Sequence, residues 1–220
     1  MFNPTESQQA QAANQMQFLQ PDELEDILLE ARKNSLRDAA LILCGYVHGL
    51  RASEAVAIKL NDINWQSETL TVARKKGSML TTQALESHRG KPHLDQKRTI
   101  REYLKERIND GSNVLFTSQK GNAMLPTSLT GMFYKYCEAA SRQRVLDGKQ
   151  PIARSCWNFK ILKHSRGTHM VMANSNPYLI KQQLGHTHFS STQVYLHGSQ
   201  KQANAAAAAA SMEVFRSLAA

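Results

Sequence analysis

The sequence predicts an α+β domain, mostly α, in which a helical body carries one small antiparallel three-stranded sheet. Two observations lead there. Most segments after about residue 20 read as helices, the first of them, "QPDELEDILLEAR", with Leu24, Ile27 and Leu28 on one face. In the midst of them "DINWQSETLTVAR" alternates instead, is rich in β-branched residues, and has a polar turn at Gln66–Glu68. That is the pattern of a β-hairpin.

The elements follow in order. Residues 1–18 are rich in Gln, Ala and Asn and are expected to be a mobile leader to the main domain, 19–198. Pro21 and Asp22 open the first helix, with acids in its first turn. "NSLRDAALILCGYVHG" is a second, mostly buried helix, with Ser35 placed as its cap and Gly49 as its stop. "ASEAVAIKL" is a short third. After the hairpin, "MLTTQAL" supplies the third strand, and "LDQKRTIREYLKERIN" returns to helix. "NVLFTS" is extended, and "SLTGMFYKYCEAASRQR" is helical. Beyond the turn-rich "DGKQPIARSC" come helices over about Lys160–Ala173 and Pro177–Leu184, the latter with Pro at a favoured first-turn position. Residues 199–220 include six alanines at 205–210 and read as a terminal helix.

Composition narrows the function. The 220 residues carry a formal net charge of +9, which suits a polyanionic partner, nucleic acid or an acidic membrane surface. No apolar run approaches the ~20 residues of a membrane span, and the N-terminus lacks the apolar core of a secretory signal. Cys44, Cys137 and Cys156 are odd in number and far apart, so neither a disulfide framework nor a zinc knuckle is expected. Together these place the chain in a reducing cytoplasm, off the membrane.

Several basic groups stand in suggestive places. Arg51 lies between a helix stop and a helix start, and Glu54 is positioned to neutralise it or to orient the local backbone. Lys75 and Lys76 precede Gly77, at the tip of the hairpin or on its next turn. Lys160, Lys163 and His164 have i, i+3, i+4 spacing, so one helix face is expected to be strongly basic and suited to an anion. "LGHTHFSSTQVYLH" puts Tyr195 nine residues after His186, beyond a helix-stopping Gly185. His186, His188 and His197 also suggest a metal site, but they lack carboxylate partners.

Taken together, "GLRASE", the lysines of "RKKG", the helix "KILKHSRGTH", "LGH" and "TQVYLH" resemble, in order and spacing, the tyrosine recombinase (phage integrase) family over about Gln20–His197. The resemblance implies a helical catalytic domain that breaks a DNA phosphodiester with a tyrosine hydroxyl. The products are a 3′-phosphotyrosyl link and a free 5′-hydroxyl, and no metal or other cofactor is needed. The chemistry is coherent. A phenol with a pKa of about 10 must lose its proton as it attacks, and the five-coordinate phosphorus needs cationic groups around it.

Carried over by residue, Arg51 matches a transition-state clamp, and Lys75 or Lys76 the donor of a proton to the leaving oxygen. His186 matches a phosphate hydrogen-bond donor and Tyr195 the nucleophile. The middle motif departs from the family. Lys160 stands where the family has histidine, and Lys163 where it has a second arginine, so charge is kept and the planar two-point clamp is lost. Arg166 lies on a different helical phase and is not expected to substitute; His164 and His169 are expected to pack or to support the catalytic groups from behind, not to be catalysts themselves. Only fifty residues precede Arg51, so the extra N-terminal clamp domain of many members is expected to be absent, as in short fimbrial-type invertases.

The implied partners are double-stranded DNA, further copies of the chain as a dimer or tetramer on DNA, and a partner recombinase or DNA-bending protein. Residues 199–220 are expected to dock onto a neighbouring protomer. The competing expectation is a recombinase-fold DNA-binding protein that cuts weakly or not at all.

Overall fold

The computed structural model describes residues 17–74, 79–108, 111–118, 121–196, 211, 212 and 216. Its order is helix α1 (Pro21–Asn34), α2 (Leu36–Val47), the short α3 (Ala52–Ala55), strands β1 (Ile63–Asn64), β2 (Thr69–Val72) and β3 (Thr81–Ala84), then α4 (Gln96–Glu106), α5 (Pro126–Leu146), α6 (Lys160–Met172), α7 (Pro177–Gln183) and α8 (Ser190–Gln193). The strands form one antiparallel sheet in the order β1-β2-β3, with Ile63 opposite Leu70 and Val72 opposite Thr81. The mostly helical α+β expectation is therefore met, sheet included. "NVLFTS" makes only isolated bridges, Val114 to Lys59 and Thr117 to Ala123.

Local chemistry sets the helix ends. Asp22 and Glu23 fill the first turn of α1 and Arg32 and Lys33 its last, complementing the helix dipole at both ends. The Ser35 side chain accepts from the Asp38 N–H at 3.3 Å and caps α2. Leu24, Ile27 and Leu28 of α1 pack with Leu41 and Ile42 of α2, Ile100 of α4, Phe133 of α5 and Leu162 of α6 in the main core. The three cysteines are free and buried. No helix among the described residues is long and apolar enough to cross a membrane.

The sheet has two kinds of inner residue. Ile63, Leu70 and Val72 join the apolar core. Thr81 and Gln83 of β3 are also buried, yet polar. They belong to a network that holds the site together. His48, at the end of α2, is bonded through Nδ1 to Gln83 Oε1 at 2.8 Å and through Nε2 to Gln96 Nε2 at 2.7 Å. Gln96 offers only N–H there, so Nε2 accepts and Nδ1 carries the proton. Gln83 and Gln183 exchange two further hydrogen bonds, Gln83 Nε2 to the Gln183 carbonyl and Gln183 Nε2 to Gln83 Oε1, both 2.7 Å. The end of α2, strand β3 and the end of α7 are thus locked together by satisfied buried amides.

Three expectations fall on residues outside those described. The leader up to residue 16 is one, and Lys75 and Lys76 are the second. The third is the alanine-rich terminal helix, of which only Ser211, Met212 and Arg216 are described, all helical and exposed.

Candidate active site

The "GLR" corner, helix α6 and the chain from α7 to Tyr195 converge on one cavity of about 550 Å³. Arg51, Lys160, Lys163, His186 and Tyr195 all line it, together with His164. Five of the seven residues singled out in the sequence are therefore brought together. The other two, Lys75 and Lys76, belong to the β2–β3 connection outside the described residues. His188 is exposed, while His186 faces the cavity; His197, the third member of the possible metal trio, also lies outside the described residues.

Arg51 N-caps α3. Its backbone N–H donates to Glu54 Oε2 at 2.9 Å and its Nη1 to Glu54 Oε1 at 2.8 Å, while its side chain stays 43% exposed. Glu54 is 1% exposed at its side chain. Burial works against its charge, but the Arg51 hydrogen bonds and the charges of Lys163 and Arg74 hold its carboxyl below the usual carboxylate range. Glu54 thus orients Arg51 and leaves the rest of that guanidinium facing the cavity.

Arg74, next to the two lysines, was not singled out by the sequence, and it organises the site. Its side chain is 0% exposed. Nη2 donates to the His48 carbonyl at 2.8 Å and to the Gln183 carbonyl at 3.0 Å, Nη1 to the Gly49 carbonyl at 3.0 Å and to Glu54 Oε2 at 3.3 Å, and Nε to Thr81 Oγ1 at 3.2 Å. One guanidinium therefore ties the hairpin to the "GLR" corner and to the end of α7. Gly185 follows with φ +65°, and a Cβ there would stand 2.9 Å from Arg74 Nε. The "LGH" glycine is required both for the left-handed turn and for this close approach.

The basic face of α6 is less cationic than its spacing suggests. Lys160 is exposed at the cavity. Lys163 is 6% exposed, with Nζ donating to the Leu184 carbonyl at 2.6 Å. Burial and then the charges of Arg74 and Arg51 push its pKa down to about 7, against the opposing pull of Glu54. Burial likewise holds His164 and His186 at about 4, with Lys160 and Lys163 acting on the first and Lys163, Arg51 and Arg74 on the second. Both imidazoles are neutral at pH 7. The cavity holds positive potential that an incoming anion relieves.

This has a measurable consequence for stability. An ammonium at position 163 costs the folded state its full desolvation below pH 7, where both folded and unfolded chains are protonated. Between about pH 7 and 10.5 the unfolded chain binds more protons, so this cost recedes as pH rises. Lys163→Met is expected to be more stable than the parent near pH 6, by at most about 5 kcal/mol. That advantage should shrink through pH 7 to 10, as read by urea unfolding at each pH. A pH-independent difference contradicts it.

Tyr195 is 6% exposed, in a small apolar cluster with Ile180 and Leu184 that is separate from the main core. Its ring lies parallel to that of His186, 6.3 Å between centroids, and His186 Nδ1 is held by Thr192 Oγ1 at 3.0 Å. The ring rests on Gly167 of α6, where a Cβ would stand 2.8–2.9 Å from three ring carbons. Gly167 was not singled out in the sequence; a glycine inside a helical pattern is the signal that could have pointed to such an approach. The hydroxyl is in contact with His164, Oη to Nδ1 3.2 Å, so His164, expected to pack or to support the catalytic groups, touches the phenolic oxygen itself. Burial raises the phenol to about 12, against the lowering charge of Arg51. The ring is thus packed in apolar surroundings, while its oxygen meets the His164 imidazole.

Gly167→Ala tests that seat. Alanine is the better helix former by about 1 kcal/mol, yet the variant is expected to lose about 1–3 kcal/mol by overpacking the ring. A variant as stable as the parent in urea would place the ring elsewhere.

His169, by contrast, is a packing group. Its Nδ1 meets Tyr46 Oη at 2.8 Å and its Nε2 the Leu19 carbonyl at 2.9 Å. Arg166 is turned away to Glu86, 2.8 Å, and lies over the Tyr46 ring.

The profile of the phage integrase family matches residues 17–202. The chain is 29% identical over 192 residues to the tyrosine recombinase XerC of Pelotomaculum thermopropionicum, covering 82% of this chain and 56% of that relative. It is 27% identical over 185 residues to the tyrosine recombinase XerA of Pyrococcus furiosus, covering 83% and 58%. It therefore spans a little over half the length of these relatives. Among solved structures, the Tn1549 transposon integrase in complex with a circular intermediate DNA aligns with a TM-score of 0.70 at 18% identity, over 86% of this chain and 64% of that one. The XerH site-specific recombinase bound to difH aligns with a TM-score of 0.66 at 22% identity, over 88% and 54%. These likenesses show the fold, and the profile match over residues 17–202 shows that this chain belongs to the phage integrase family.

Proposed function

We propose that this chain is the catalytic domain of a site-specific DNA recombinase that cuts and rejoins duplex DNA through a 3′-phosphotyrosyl intermediate. The observation that carries the reading is the convergence of the Tyr195 phenol with Arg51, Lys163 and His186 on one cavity. In this reading the Tyr195 oxygen attacks the scissile phosphorus. Arg51, oriented by Glu54, and His186, oriented by Thr192, hold the non-bridging oxygens through charge-assisted and neutral donors. Lys163 adds charge as the phosphate raises its pKa again. Lys75 or Lys76 protonates the leaving 5′-oxygen. Lys160 neutralises phosphate at the cavity mouth. The net charge of +9 supplies the non-specific part of DNA affinity. The working assembly is a dimer or tetramer on DNA in the cytoplasm, with residues 199–220 docked onto a neighbour, alone or with a partner recombinase or bending protein.

A second reading is a DNA-binding protein of this fold that cuts poorly. One observation favours it: the Lys163 ammonium is spent on the Leu184 carbonyl and has no planar fork to give a phosphate. A nicked suicide duplex, whose 5′ product diffuses away, separates the two. The first reading expects a protein–DNA adduct that survives SDS. Tight binding with no adduct contradicts it and leaves the second.

A further inference from the structure

We propose that His164 is the base that takes the Tyr195 proton during strand cleavage and returns it during rejoining. This deepens the strand-transfer reading and rests on it. Among the described residues, His164 Nδ1, at 3.2 Å, is the titratable group in hydrogen-bond contact with the phenolic oxygen. The other bases of the cavity are engaged elsewhere. His186 gives Nδ1 to Thr192 and stacks its ring parallel to the phenol. Lys163 gives Nζ to the Leu184 carbonyl. Lys160 stands exposed.

The protonation state suits the task. A pKa of about 4 keeps the imidazole neutral at pH 7, and a phenol held near 12 keeps its proton, so Tyr195 donates and Nδ1 accepts, with the ring proton on Nε2. The charged and titratable groups around His164 are Lys160 and Lys163 on its own helix, Arg51 at the α3 corner, His186 after α7, and Tyr195 itself. All but the phenol are basic, which disfavours a further positive charge on His164. A phosphate placed there offsets these charges and raises the basicity of His164. The phenolic proton becomes acidic as the oxygen bonds to phosphorus, so its transfer to His164 accompanies the attack.

The step balances. The Oη–H bond breaks and its proton passes to Nδ1, giving an imidazolium. The electron pair left on oxygen forms the Oη–P bond, and the P–O5′ bond breaks. The 5′-oxygen leaves with that electron pair and takes a proton from the hairpin lysine. Rejoining runs the same transfers backwards, so nothing is consumed.

The test compares wild type, His164→Gln and His164→Ala on a nicked suicide duplex under single-turnover conditions from pH 5.5 to 9. Glutamine can still hydrogen-bond the phenol but is no base. Both variants are expected to form adduct at least about 100-fold more slowly, with DNA affinity within about twofold. The wild-type rate should rise with pH and level off, whereas the variants should lose that plateau and climb with hydroxide. Added imidazole should restore part of the rate to His164→Ala. Variant rates within threefold of wild type overturn the proposal, as does a slow variant whose pH profile parallels wild type and resists imidazole. A wild type that forms no adduct overturns the strand-transfer reading, and this role with it.

Discussion

Tyr195→Phe is expected to abolish the covalent DNA adduct while leaving DNA binding nearly intact. The substitution removes one oxygen. The ring keeps its seat on Gly167 and its packing against Ile180 and Leu184. The lost contact is the His164 hydrogen bond, worth about 1 kcal/mol of stability. Nothing in the basic wall of the cavity changes, so affinity should stay within about threefold of wild type, measured at matched salt because phosphate contacts make binding salt-dependent. An adduct of wild-type yield from Tyr195→Phe would remove the phenol from the nucleophile's role.

Arg74→Met is expected to have the largest effect on stability. The arginine's donors bond three main-chain carbonyls, Glu54 and Thr81, and its side chain is shut from solvent. Methionine fills some of the volume but leaves the His48, Gly49 and Gln183 carbonyls without these donors and Glu54 with less countercharge. Breaking such a pair typically costs about 3–5 kcal/mol, which for a chain of this size lowers Tm by roughly 10 °C. Arg74→Lys should rescue little, because one ammonium cannot reach all five acceptors. Calorimetry on both variants checks this. A fall of under about 1 kcal/mol, or full rescue by lysine, would mean that the corner, hairpin and "LGH" turn hold together without the guanidinium. A double variant with Glu54→Gln should lose less than the sum, since each removes the other's partner.

These two predictions mark the division between what the sequence disclosed and what it did not. Helix faces were legible because their apolar period is local: Leu24, Ile27 and Leu28 are buried as their spacing requires. The hairpin was legible from alternation, and Ile63 does face Leu70. Arg51, His186 and Tyr195 could be picked out because each belongs to a short motif. Arg74 could not be, since its partners lie 25, 26 and 109 residues away and no local period encodes them. The His48–Gln83–Gln183 network was hidden for the same reason, with Gln83 reading as an ordinary strand residue.

Charge was the least reliable guide. Spacing put Lys160, Lys163 and His164 on one cationic face, but burial decides protonation, and spacing does not report burial depth. Lys163 sits at about 7 and His164 at about 4, while Lys160 is out in solvent. A face read as uniform is in fact one exposed cation, one buried amine near its titration point and one neutral imidazole against the phenol.

The most direct measurement is to trap the adduct on a suicide duplex, digest it, and identify the nucleotide-bearing peptide by mass spectrometry. The account predicts a single modified residue, Tyr195, joined through its phenolic oxygen to a 3′-phosphate, with a free 5′-hydroxyl on the released strand. A label on Tyr178 or any other side chain, or a 5′-phosphate linkage, would contradict it.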